Sequence, residues 1–153
     1  MDNISFIHVV WVAVCAGIIG TAGMEFALQG ITKSGIVNAD MTRALGSLFT
    51  KSRKYSYRIG IILQAISGII FAFIYIFAFL LINPHDFINF IGVGILMGFI
   101  QGAVVGFVLV AAVAENHPLP AFRQAGFSVA LAHWAGHLVY GFLVSVVFYL
   151  IGF

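Results

Sequence analysis

Few residues in this chain are able to do chemistry, and most of them sit in apolar surroundings. His133 and His137 stand four apart and Tyr140 three further on, so on a helix they share one face within roughly 100° of arc. Two imidazoles one turn apart can converge on a point, the spacing used by metal sites on helices, and a nearby carboxylate can add a third ligand. Glu25 is the carboxylate embedded in an apolar run, with Thr21 and Gln29 at four-residue steps to either side. Gln64 and Gln101 are the other large polar groups in apolar runs. The expected metal ligands are therefore Glu25, His133 and His137. The expected cofactor-binding set is His133, His137, Tyr140, Gln64 and Gln101.

A transition metal fits this pattern better than haem. Two histidines on one turn cannot hold both faces of one haem, and His8 lies at the far end of its helix. Hydrolytic zinc chemistry of the His-Glu-x-x-His kind is disfavoured, because Trp134 occupies the position of the glutamate. Two other readings of the same residues stand beside the metal. In one, the imidazoles are neutral and structural, bonding to Gln64, Gln101 or carbonyls for about 1 kcal/mol each. In the other, they relay protons or hold a quinone. The letters name no reaction and no catalytic residue.

The elements that must position these groups follow from composition. Of 153 residues 62% are hydrophobic and 8% charged, against roughly 45 to 50% and 25% in soluble domains. That leaves too little polar surface for a particle in water, so the bilayer is the expected solvent and partner. Disorder and a disulfide scaffold are excluded as well, since Cys15 is the lone cysteine. Residues 4–29, 59–82, 88–114 and 127–153 are each long enough to cross about 30 Å of hydrocarbon as helices. Their continuous apolarity lacks the alternation of barrel strands. The fold expected is all-α: one domain over residues 1–153, with four spans in an antiparallel bundle. The first run is too long for the core of a signal, and no basic residue precedes it, so it reads as a permanent span.

All 7 basic side chains fall in two connections: Lys33, Arg43, Lys51, Arg53, Lys54 and Arg58 in the first, Arg123 in the third. Under the positive-inside rule both connections are cytoplasmic, and both termini and the Asn83-Pro84-His85-Asp86 turn face outward, as expected in a bacterial inner membrane. The net charge of +2 is then a topology signal and offers nothing to nucleic acid. Within the first connection, Met41, Ala44, Leu45, Leu48 and Phe49 have helical spacing behind Asn38 and Asp40, either of which can cap. A short helix is expected there, lying in the headgroup region with Arg43 and Lys51 toward phosphates, or packing on the bundle as an ordered loop.

With orientation set, depths can be compared. Glu25, Gln64 and His133 fall at one level near the inner face, and His137 and Gln101 lie nearer the midplane, a polar line through the bundle. His85 and His117 read as turn residues, although Glu115 and His117 at the inner mouth can extend that line. Trp11, Tyr55, Tyr57 and Tyr149 read as interfacial belt residues. The run Phe71, Phe73, Tyr75, Phe77, Phe79 reads as mostly lipid-facing, with a surface for a pigment or an apolar cofactor as the alternative. Gly94, Gly98, Gly102 and Gly106 form a bare stripe for close helix packing, within the bundle or between protomers. Gly17, Gly20 and Gly23 make a looser one.

The glycine-rich first helix running into Gly23-Met24-Glu25, the Ala39-Asp40 and Leu45-Gly46-Ser47-Leu48-Phe49 segments, and Gly136-His137-Leu138-Val139-Tyr140-Gly141 resemble a group of four-helix bacterial inner-membrane proteins without an assigned activity. The resemblance implies the topology and a His-to-Tyr segment in the last helix. Glu25 and His133 depart from it. The function expected is that of an assembly or accessory subunit, self-associating or part of a larger complex, with an intramembrane His/Glu cluster. The alternative is a metal- or cofactor-binding redox protein or a proton-coupled transporter using Glu25, His133 and His137.

Overall fold

A computed structural model describes residues 5–151. Its elements are α1 (Phe6–Lys33), α2 (Met41–Thr50), α3 (Arg53–Ile82), α4 (Phe87–Ala103), a π-helical stretch (Val104–Leu109), α5 (Val110–Glu115), a 3-10 turn (Pro120–Phe122) and α6 (Phe127–Ile151). Four helices are long and apolar enough to cross a membrane: α1, α3, α6, and the run Phe87–Glu115 that joins α4 to α5. The chain is thus an all-α, multi-pass membrane protein, and among the described residues there is no strand. Helices suit this solvent because they satisfy their own backbone hydrogen bonds where no water can. Residue 4 of the first expected span and residues 152–153 of the last lie outside the described residues.

Local chemistry sets the ends of the elements. The Asp40 carboxylate accepts the Arg43 backbone N–H at 3.0 Å and opens α2; it also pairs with the Arg43 guanidinium. Of the two expected caps, Asp40 takes the role, and the Asn38 side chain accepts the Asp40 N–H instead. α3 opens on Ser52 and closes on Asn83, held at φ 51 in the left-handed region, with Pro84 preventing continuation. Asp86 then accepts the Asn89 N–H at 2.9 Å and starts α4.

α4 lies along α6, α6 along α1 and α1 along α3, whereas α3 and α4 meet over only a short stretch. That stretch is at the end away from the basic connections, where Phe79 stacks on Phe90 with centroids 5.1 Å apart and meets Phe148 edge-on at 5.2 Å. Val12, Ala72, Ile76 and Val144 complete the apolar core there. Toward the basic end α3 and the π-helical stretch diverge.

The glycine stripe of α4 is consumed inside the chain. A Cβ on Gly98 would overlap the His137 carbonyl, one on Gly102 would lie 2.7 Å from Trp134 Cδ1, and one on Gly106 would lie 2.8 Å from the Ala130 carbonyl oxygen. Backbones meet here because lipid supplies no hydrophobic drive and contact must come from close van der Waals fit. The stripe is therefore occupied by α6 and is not a free surface for a second copy.

Two expectations are corrected by the fold. α2 does not lie among headgroups by its apolar face alone: it packs on α3 through Thr42 and Gly46 against Ser56 and Gly60, where any Cβ on either glycine would overlap backbone. The segment thus joins the helix of one reading to the packing of the other. The aromatic run of α3 is likewise not uniformly lipid-facing. Tyr75 and Phe79 are buried and Phe77 is exposed, because residues alternate in the sequence with period two while the helix turns with period 3.6.

His117 is fully buried and ties the third connection to α2. Its Nε2–H donates to the Ala44 carbonyl at 3.0 Å, and its Nδ1 accepts the Leu119 N–H at 3.1 Å. Arg123 donates to the His117 carbonyl at 2.7 Å, and Phe122 meets the ring edge-on at 4.9 Å.

Substituting Gly98→Leu should cost about 2 kcal/mol or more by forcing α4 from α6, read as a lowered melting temperature in detergent. Gly92→Leu, where nothing lies within 4 Å, should be neutral. His117→Ala should loosen α2 without unfolding the spans, at about 1 to 3 kcal/mol, read as faster hydrogen exchange over residues 41–50.

Candidate functional site

The polar residues of the spans converge because each lies on a buried face built from small neighbours. On α6, Ala132, His133, Gly136, His137, Tyr140 and Gly141 are all buried. Gly136 faces Leu28 and Met24 of α1, and Gly141 lies against the Gly94 backbone of α4. The two imidazoles are thereby held between neighbouring helices, away from lipid. Thr21 and Met24 of α1, Gln64 and Gly68 of α3, and Gln101 of α4 are buried on the opposing faces.

These groups surround a cavity of about 310 Å³. Gln64, Gln101, His133, His137 and Tyr140, the expected cofactor-binding set, all line it, together with Thr21. The remaining wall is apolar and includes Met24, Met41, Leu45, Phe71 and Val105. At the crevice between α3 and the π-helical stretch, the lining residues Ser67, Val104 and Val108 are exposed to the bilayer side.

Two of the lining groups are held in place by hydrogen bonds within the chain. The Tyr140 hydroxyl donates to the Gly68 carbonyl at 2.5 Å, and the Tyr75 hydroxyl donates to Gln101 Oε1 at 2.8 Å. The two tyrosine rings meet edge-on at 5.6 Å. His133 Nδ1–H donates to the Val129 carbonyl at 2.7 Å, so the neutral ring carries its lone pair on Nε2. Among the described residues, five buried polar atoms have no hydrogen-bond partner: Thr21 Oγ1, Gln64 Nε2, His133 Nε2 and both ring nitrogens of His137. All four residues line the cavity.

Glu25 is placed differently. Its carboxylate accepts Gln29 Nε2 at 2.9 Å and lies 2.6 Å from the Thr42 hydroxyl. It lines a cleft at the basic end with Arg43, Lys33 and Tyr57, and a groove between α1 and α3, but not the cavity. Thr42, fully buried, is also 2.7 Å from the Gln64 side-chain amide. Its hydroxyl has one proton, which leaves two consistent arrangements. In one Thr42 donates to the Glu25 carboxylate, in the other to Gln64 Oε1. Glu25 therefore reaches the cavity wall through Thr42 and Gln64. Among the described residues no three His, Cys, Asp or Glu side chains come together as a metal-holding group, so Glu25 is not presented beside His133 and His137 as a third ligand.

Sequence reasoning did not single out Thr42; it read Tyr75 as one of the aromatic run and His117 as a turn residue able to extend the polar line. For Thr42 a usable signal existed: Thr42 and Gly46 repeat small residues at four-residue spacing, as do Ser56 and Gly60. Tyr75 shares a helix face with Ala72 and Phe79, and no local pattern marks His117.

Chemically, the cavity offers lone pairs and N–H groups but no formal charge. Neither a Lys or Arg nor a carboxylate is in its lining. It is suited to recognising a polar group by hydrogen bonds, and its Nε2 lone pair on His133 is free to ligate. Comparison of the chain with protein-family models, with curated proteins and with solved structures finds no match, so no activity, ligand or partner is carried over from a relative.

Proposed function

We propose that this chain is a small accessory protein of a bacterial inner membrane that holds a small molecule between its four spans. One observation carries the reading: five buried polar atoms without a partner among the described residues belong to residues that line a single cavity. In hydrocarbon an unsatisfied polar group costs several kcal/mol, and no bulk water is at hand to relieve it. Purely structural imidazoles would use both ring nitrogens on the glutamines or carbonyls around them, whereas His133 does so at Nδ1 alone and His137 at neither. Here Gln101 is engaged by Tyr75, and His137 is bonded to neither amide.

The volume, about 310 Å³, is at the small end of ligand pockets. The positive-inside rule places the basic end in the cytoplasm and both termini outside, so the cavity faces the inner leaflet. A metal reading retains His133 and His137 as ligands but must draw the others from the bound molecule. Haem is disfavoured, because both imidazoles project from one helix.

Native mass spectrometry of the protein taken from its own membrane in mild detergent is the test. A bound organic mass or metal is expected in the unaltered chain. It should fall at least about tenfold in occupancy in His133→Ala/His137→Ala and be displaced in Val105→Phe, which fills the cavity from the π-helical side. Unaltered protein that carries nothing, with histidine variants that only melt earlier, would return the cluster to a structural role.

A further inference from the structure

Taking the ligand-holding reading as its basis, the chemistry of the wall narrows the ligand. We infer that the cavity takes an uncharged, hydroxyl-bearing lipid of the hydroquinone class, and takes it in preference to the corresponding quinone and to any anionic amphiphile.

Charge is the first constraint. All 7 Lys and Arg residues lie outside the spans as read from the sequence, and none is in the lining. A phosphate or carboxylate head would lose its hydration and find no cation in return. A cationic head would find no carboxylate, because Glu25 lies outside the lining, behind Thr42 and Gln64. The head that fits is neutral.

The second constraint is the balance of donors and acceptors. His133 is fixed as an acceptor at Nε2, because its Nδ1–H is committed to the Val129 carbonyl. A neutral His137 offers one N–H and one lone pair, both without a partner. Two lone pairs thus await a donor, whichever way the Gln64 amide is turned. Hydroxyl groups can donate to them while accepting from His137 or Gln64. A quinone has only carbonyl acceptors, and would set its oxygens against the His133 lone pair.

The third constraint is shape and access. Phe71 and the Tyr140 ring, with the thioethers of Met24 and Met41, give a flat ring aromatic and sulfur contacts. The volume accepts one substituted ring and the start of a tail. The tail can leave between α3 and the π-helical stretch, where Ser67, Val104 and Val108 are exposed.

The test is a set of four probes with one tail, titrated into the purified full chain in detergent and followed by ligand-induced melting shift and direct binding: a decyl-hydroquinone, the matching decyl-quinone, 1-decanol and decyl phosphate. The hydroquinone is expected to bind at least about tenfold more tightly than the quinone, the factor that follows from leaving a buried acceptor unpaired. It should exceed decanol, and decyl phosphate should not compete. In His133→Ala the preference for hydroquinone over quinone should collapse toward unity. Equal or tighter binding of the quinone, decanol or decyl phosphate to the unaltered protein overturns the ligand class and leaves the ligand-holding reading standing. Absence of binding by all four alongside a co-purified mass of another kind also overturns only the class, whereas absence of both removes the cavity's role altogether.

Discussion

A polar side chain inside a bilayer must find its partner within the protein or on a bound molecule, and the whole arrangement of this chain turns on how that demand is met around α6. Glycines make the arrangement possible. Gly94 and Gly98 of α4 and Gly141 of α6 let the two helices close until backbone touches backbone, Gly102 makes room for Trp134 and His137, and Gly136 makes room for Met24 and Leu28 of α1. With neighbours that near, the imidazoles of His133 and His137 have no route to the lipid and turn into the space between α1, α3 and α4. The small residues are thus the cause of the burial, and the histidines carry its consequence.

The basic-end helix α2 has a role that follows from the same demand. It closes the bundle at the basic end, and its contact with α3 is so tight that Gly46 and Gly60 tolerate no side chain. That closeness brings the Thr42 hydroxyl between a carboxylate reached from the basic-end cleft and an amide in the cavity wall. A hydroxyl with one proton and two neighbours links them into one chain of hydrogen-bonding groups, from the basic-end cleft to the cavity wall. His117 holds α2 in this position from the opposite connection. Sequence position alone would never join residue 117 to residue 44, and this is the long-range contact on which the basic-end closure depends.

How far the letters went can be judged residue by residue. The four spans were legible because twenty apolar residues in a row have one stable form in lipid, and the short helix was legible from spacing and an acidic cap. The convergence of Gln64, Gln101, His133, His137 and Tyr140 was legible because depth along each span can be counted from its end. Azimuth was not legible. Glu25 lies at the right depth yet faces α2, since the direction of a residue around its helix is set by which neighbour is nearest. For the same reason Tyr75 looked like one of a row of lipid-facing rings but is buried and bonded to Gln101. The glycine stripe was expected to pack within the bundle or between protomers, and only the structure could say that its neighbour is α6.

The π-helical stretch completes the logic of access. π-helical turns are commonly found at functional sites because an extra residue per turn shifts the facing of everything beyond it. Here the shift falls between Gln101, which is fastened to α3 through Tyr75, and Val113 and Ala114, which border a second cavity of about 340 Å³ near the basic end. His133 and Met41 line both cavities, one at the level of α2 and one deeper in the bundle. Val104 and Val108 of the widened turn are exposed at the crevice, while His133 lines both spaces. The side chain whose lone pair is fixed by its own helix is therefore also the one reached from two directions.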